Sequence, residues 1–228
     1  MNSSDAEVLT PEALASLYPL LYHMAGAGRW ESIRRIGLLS TTALLDLFEV
    51  TGEERERIES QRRATSIEIR HPEHGLAVIR DNLPMTDRAL EKCLRGLSPR
   101  EWYETLNRRV FFWLSRERLF GLLEARAYRG KHQTVLTIDT SALLARHADR
   151  VTLSPINSGS TIMNPAPRGA DTFARISEYP YGLWRKKRGR KNAVVELAVD
   201  YSVPDVRDFV VRVEHVDGGS LSEVLWER

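Results

Sequence analysis

Apolar and polar positions change period many times along this chain, and each change marks an element. Residues 11–20 have helical spacing, with Thr10 as N-cap and Pro11 at the first helical position. The run 20–24 predicts a short strand, and 30–36 a helix that Gly37 ends. Ser40 and Thr41 cap a third helix over 42–49, and 53–63 predicts a charged helix with both faces in solvent. Residues 65–70 and 76–80 alternate with period two around His71-Pro72-Glu73-His74-Gly75, the pattern of a hairpin. Helices follow over 87–94 and 99–107, capped by Thr86 and Ser98. The most apolar run, Val110-Phe111-Phe112-Trp113-Leu114, predicts a central strand. A helix over 116–128, a strand over 135–139 and a helix from Thr140, as its cap, to His147 complete this part.

Residues 155–192 break the pattern. Pro155, Gly159, Pro165, Pro167, Gly169, Pro180, Gly182 and Gly189 predict a long irregular loop, and such loops are often functional. The loop ends in the basic run Arg185-Lys186-Lys187-Arg188-Gly189-Arg190-Lys191 and leads into an apolar strand around Glu196. A last strand over 207–216 puts Phe209, Val211 and Val213 on one face. With no repeat and no linker, the pattern predicts one α+β domain over 1–228, with helices in the first half and a mostly helical insertion at 40–108.

Composition narrows the class. At 228 residues, 42% hydrophobic and 28% charged, the chain is long enough for a well-filled core. No apolar run approaches the ~18–20 residues that span a bilayer, so no membrane partner is expected. The polar, acidic start lacks a secretory pattern, and a single cysteine, Cys93, fits a reducing compartment; both point to the cytoplasm. Cys93, on a predicted helix, reads as buried and inert. The absence of CxxC and HExxH patterns argues against a metal site. The formal charge of +2 does not by itself announce a nucleic-acid binder.

The candidate chemistry starts at Glu196. A carboxylate inside an apolar strand is costly unless it is paired, hydrogen-bonded or exposed in a cleft. Three segments stand out with it. The first is Leu21-Tyr22-His23-Met24-Ala25-Gly26, followed by Ser32-Ile33-Arg34-Arg35-Ile36-Gly37-Leu38. The second is Arg109-Val110-Phe111-Phe112-Trp113-Leu114-Ser115, and the third Val195-Glu196-Leu197-Ala198-Val199. In that order they resemble the three core strands of the ADP-ribosyltransferase superfamily: a histidine followed by an S-I-x-x-x-G-L helix, an aromatic strand, and a glutamate in an E-x-x-V setting. The likeness is nearest to its DNA-targeting toxin and poly-ADP-ribosyl-polymerase-like branches. Two positions depart from the pattern. Met24 stands where polymerase-like members have glycine, and the second strand offers Phe112 and Trp113 where a tyrosine is usual.

The resemblance implies a split β-sheet core and NAD as substrate. It makes Glu196 the catalytic carboxylate beside the developing oxocarbenium charge and His23 a partner for a ribose hydroxyl. Phe112, Trp113 or Tyr128 would stack on nicotinamide, and backbone near Gly26 would hold its amide. Ser115 belongs to the same segment, and Arg175 and the run Asn157-Ser158-Gly159 are further cleft candidates. The acceptor would be a nucleic acid or a protein, and a toxin-like enzyme would need a neutralising antitoxin. Two alternatives remain: a non-catalytic nucleic-acid- or partner-binding module on the same scaffold, and a relative of the RNA 2′-phosphotransferases, which lack the glutamate. Each residue also has a plain structural reading. His23 would be a satisfied core histidine, Glu196 the partner of an arginine, Asp139 a helix cap, and the basic run a solvated loop.

Overall fold

Side-chain caps set most helix starts. Thr10, Ser40, Thr86 and Ser98 accept hydrogen bonds from the backbone N–H of Ala13, Ala43, Ala89 and Glu101, and Ser98 and Glu101 complete a capping box. A computed structural model describes residues 8–125, 128–162, 164–217 and 220–228. In chain order its elements are α1 (Pro11–Leu17), β1 (Leu20–Gly26), α2 (Trp30–Ile36), β2 (Leu38–Leu39), α3 (Thr41–Leu47), α4 (Gly52–Glu59), β3 (Ile67–His71) and β4 (Gly75–Ile79). Next come α5 (Asp87–Cys93), β5 (Leu94–Arg95), α6 (Pro99–Asn107), β6 (Arg109–Trp113), α7 (Arg116–Leu123), β7 (His132–Asp139) and α8 (Thr140–His147). The rest are β8 (Val151–Ser154), β9 (Arg168–Gly169), β10 (Ala174–Arg175), α9 (Tyr181–Arg188), β11 (Glu196–Asp200), β12 (Ser202–Val203), β13 (Val210–Asp217) and β14 (Ser220–Glu227).

The fold is α+β around an eight-stranded antiparallel sheet in the order β10-β8-β11-β6-β1-β7-β13-β14. The aromatic run 110–114 is central, as its apolarity predicts. Pairing is uneven across the sheet. Strands β6 and β11 are registered from Glu196↔Trp113 to Asp200↔Arg109, and β1 and β7 from Leu20↔Asp139 to Gly26↔Gln133. Between β6 and β1 the register is one pair, Tyr22↔Trp113. The sheet is therefore two halves joined at that point.

One face carries the main core, built on Leu21, Phe112, Leu136, Leu197 and Val213. The other face meets two smaller clusters, one of Met24, Leu119, Leu123, Val135 and Val216 and one of Leu90, Trp102 and Tyr103 with Phe173. Cys93 is a free thiol buried in the latter. Gly37 shows why a glycine ends α2. Its φ is +87°, and a Cβ there would stand 2.4 Å from the Pro204 Cα. That approach lets Leu38 and Leu39 pair with Val203 and Ser202 of β12.

Several elements differ from the sequence reading. Asp139, not Thr140, caps α8 by accepting from the Ala142 N–H; the Thr140 hydroxyl donates to the Tyr18 carbonyl instead. Helix α7 ends at Leu123, and Tyr128 lies in a turn beyond it; residues 126–127 of the expected helix lie outside the described residues. The 53–63 segment is not wholly solvated. Ile58 is fully buried, and Arg63 is buried with its guanidinium donating to the carbonyls of Ile58 and Arg80 and to Asn107 Oδ1. Burial lowers the Arg63 pKa to about 10, against the nearby Asp81 and Tyr103, which raise it. Strands β8 and β14 were not anticipated. The 155–192 segment is not irregular throughout, because it contains β9, β10 and α9. Much of the basic run forms the last turn of α9, where cations complement the helix C-terminus.

Candidate functional site

Glu196 opens β11 instead of sitting mid-strand, and it is 5% exposed. Its cross-strand partners are Trp113 on β6 and Ser154 on β8, so these side chains share one face, which Tyr22 continues on β1. The carboxylate is held by a turn of the 155–192 segment. The Ser158 backbone N–H lies 3.2 Å from Oε1 and 3.1 Å from Oε2, and the Ser158 hydroxyl donates to Oε2 at 2.6 Å. Behind that turn, Arg168 is 2% exposed and donates from Nη1 to the Ser158 carbonyl at 2.9 Å. Its guanidinium also lies 5.9 Å from the Trp102 ring centroid. Burial raises Glu196 to about 7; the Ser158 hydrogen bonds, then the charges of Arg168 and Arg118, pull it down. A carboxyl group near 7 exchanges its proton readily at neutral pH, a property suited to acid–base or charge-stabilising work. The expected arginine partner thus acts from a distance, and the direct contacts come from a serine.

His23 occupies the opening between β1 and β6. Its Nδ1 is 2.9 Å from the Phe111 carbonyl oxygen, which only accepts, so Nδ1 carries the proton. Burial lowers the imidazole to about 4; the Phe111 hydrogen bond opposes that and the nearby Arg80 charge adds to it. At neutral pH the ring is uncharged and its free Nε2 is an acceptor. The Nδ1–H is therefore already used by the Phe111 carbonyl and is not free to donate to a ligand.

Strand alternation separates His23 from Glu196. His23 pairs with Leu136 and packs against Phe112, with ring centroids 5.7 Å apart, on the alternate face from Trp113 and Glu196. Trp113 is half-buried and directly opposite Glu196, so of the three aromatic candidates it is the one beside the carboxylate. Phe112 is 1% exposed in the main core, with no free face for a stacked ring. Tyr128 is buried, with the Arg80 guanidinium 5.0 Å from its ring centroid; Arg80 is thus shared between Tyr128 and the surroundings of His23.

The other candidates separate from this group. Arg175 lies at the far end of β11, 4.0 Å from Asp200 and bonded to the Asp149 carbonyl. Asn157 precedes the residue that touches Glu196, which is Ser158. Gly26 ends β1, where a Cβ would meet only the Arg29 side chain at 3.7 Å, so the position does not require glycine. Ser115 is the N-cap residue of α7 without a side-chain cap bond. Sequence reasoning missed Arg168, Arg80 and Tyr22. Tyr22 was accessible from the alternation of β1; the two arginines depend on tertiary contacts.

Arg185, Lys186, Lys187, Arg190 and Lys191 are exposed on α9 and the turn leading into β11. Two surface cavities of about 410 and 480 Å3 lie elsewhere, beside Cys93 and beside Tyr201, and neither has His23 or Glu196 in its lining. Among the described residues no three His, Cys, Asp or Glu side chains are grouped to hold a metal, and no helix is long and apolar enough to cross a membrane. Residues 19–210 match the profile of a family of unknown function, DUF7002. No curated protein matches the chain.

Proposed function

The chain belongs to DUF7002, a family of unknown function, and from its residues we propose that it is an NAD-dependent ADP-ribosyltransferase. The observation that carries this reading is the adjacency of the three motif strands. They stand as β11-β6-β1, and Glu196, Trp113 and Tyr22 form one cross-strand row beside the single-pair join. Support also comes from the buried carboxyl group itself, held near neutrality at the start of its strand.

In this reading the bond between the nicotinamide nitrogen and ribose C1′ breaks, and the electron pair leaves with neutral nicotinamide. The ionised Glu196 stabilises the oxocarbenium character left on the ribose and accepts a hydrogen bond from a ribose hydroxyl. Trp113 offers the aromatic surface next to it, while His23, on the alternate face of the sheet, takes no part in this step. The acceptor's nucleophile forms the new bond to C1′ and gives its proton to solvent. The exposed basic run just before β11 favours a polyanionic acceptor such as nucleic acid. Incubation with NAD labelled in its adenylate half tests the reading. Wild type is expected to yield labelled ADP-ribose or a labelled acceptor. Folded Glu196→Ala should be about 100- to 1000-fold slower. Equal rates in the two proteins refute it.

A further inference from the structure

We propose that Ser158 and Arg168 are positioning residues that hold the Glu196 carboxylate in one rotamer and keep it ionisable. This rests on the reading of Glu196 as the reacting carboxylate. The geometry is a chain of contacts from the core to the acid. Arg168 begins β9 and is almost wholly buried, with Nε donating to the Ala166 carbonyl at 3.1 Å and Nη1 to the Ser158 carbonyl at 2.9 Å. A planar guanidinium bonding two carbonyls of one segment fixes the turn between them. That turn presents the Ser158 N–H and hydroxyl to Glu196. Ser158 is itself 1% exposed, so water does not compete readily for these bonds.

Gly169 adds a second restraint on Arg168. A Cβ at Gly169 would stand 2.6 Å from the Arg95 carbonyl oxygen, so β9 lies tightly against β5. The arginine is thereby anchored to the 40–108 region, and Thr161 extends the same tie by accepting from the Thr86 N–H at 3.3 Å and donating to the Pro84 carbonyl at 3.2 Å. The charged groups acting on Glu196 are Arg168 from β9 and Arg118 from α7. Both are cations and both favour the carboxylate. Ser158 supplies the hydrogen bonds that favour it further, against burial, which disfavours it.

The role separates from simple structural support by its effect on ionisation. Ser158→Ala removes the hydroxyl and leaves the backbone N–H. Losing a hydrogen bond to the charged form should move the Glu196 titration upward by about one pH unit or more. Carbon-13 NMR of labelled glutamate, with Glu196→Gln to assign the signal, reads this titration without any activity. In the same variant, the pH midpoint for nicotinamide release from NAD should move upward with it. Arg168→Lys, which keeps the charge and loses the fork, should shift the titration in the same direction. An unchanged titration in folded Ser158→Ala overturns the proposal, whatever the activity. A shifted titration in Ser158→Ala, with a wild type that releases no nicotinamide, keeps the positioning claim for the carboxyl group and rejects its catalytic use.

Discussion

A residue's burial and its hydrogen bonds decide its charge, and the two polar side chains of the motif strands go in opposite directions. Glu196 is raised to about 7 from an ordinary 4.5. Its folded state holds the proton more tightly than the unfolded chain does. The stability this gives is present below about 4.5 and lost as pH rises through 7. His23, lowered to about 4 from 6.5, has the reverse sign: its stability is present above about 6.5 and lost as pH falls through 4. Urea unfolding across pH should therefore show wild type losing up to about 3 kcal/mol relative to Glu196→Gln between pH 4.5 and 7. A difference that stays flat over that range contradicts the buried titration. Glu196 was legible in the sequence because a charge interrupting an apolar run needs a reason. Its partner Ser158 lay in the candidate run Asn157-Ser158-Gly159, and only the fold distinguishes it from Asn157. Arg168 carried no local signal at all, since its value comes from burial and from the carbonyls it meets.

At the scale of elements, caps and much of the alternation were readable and pairing was not; in β13 a register shift puts Val210 and Val213, not Val211, in the core. The starts of α1, α3, α5 and α6 follow from hydroxyls three residues ahead of the N–H they accept from. Strand β8 was missed because Val151-Thr152-Leu153-Ser154 is too short to establish a period. Helix α9 was missed because prolines and glycines surround it and its last turn is all basic. The single-pair join of β1 and β6 is a property of register, which periodicity does not report. Gly37 is where a local signal and a tertiary one coincide. Gly37→Ala should cost at least ~2 kcal/mol, through a left-handed backbone and a clash with Pro204, and should loosen β2 from β12. An unchanged denaturant midpoint would show that the backbone relaxes there at little cost.

On the scale of the whole molecule, the 40–108 region does more than decorate the sheet. Arg63 bonds the Arg80 carbonyl and fixes the stretch that leads to Tyr128 and His23, while β5 and the 84–86 stretch brace the segment that holds Glu196. The region expected as a mostly helical insertion carries, as β3–β4, the hairpin its alternation predicts, and its Arg80 lies near His23. These contacts link residues far apart in the chain, which no local pattern could reveal. The proposed activity requires Glu196 to act as an ionised group beside a ribose. Nicotinamide release from NAD, measured from pH 5 to 9, tests that most directly. The wild-type rate should climb with pH and level off above about 7, with Glu196→Gln far below it throughout. Release that is absent at every pH, or equal in the two folded proteins, would contradict it.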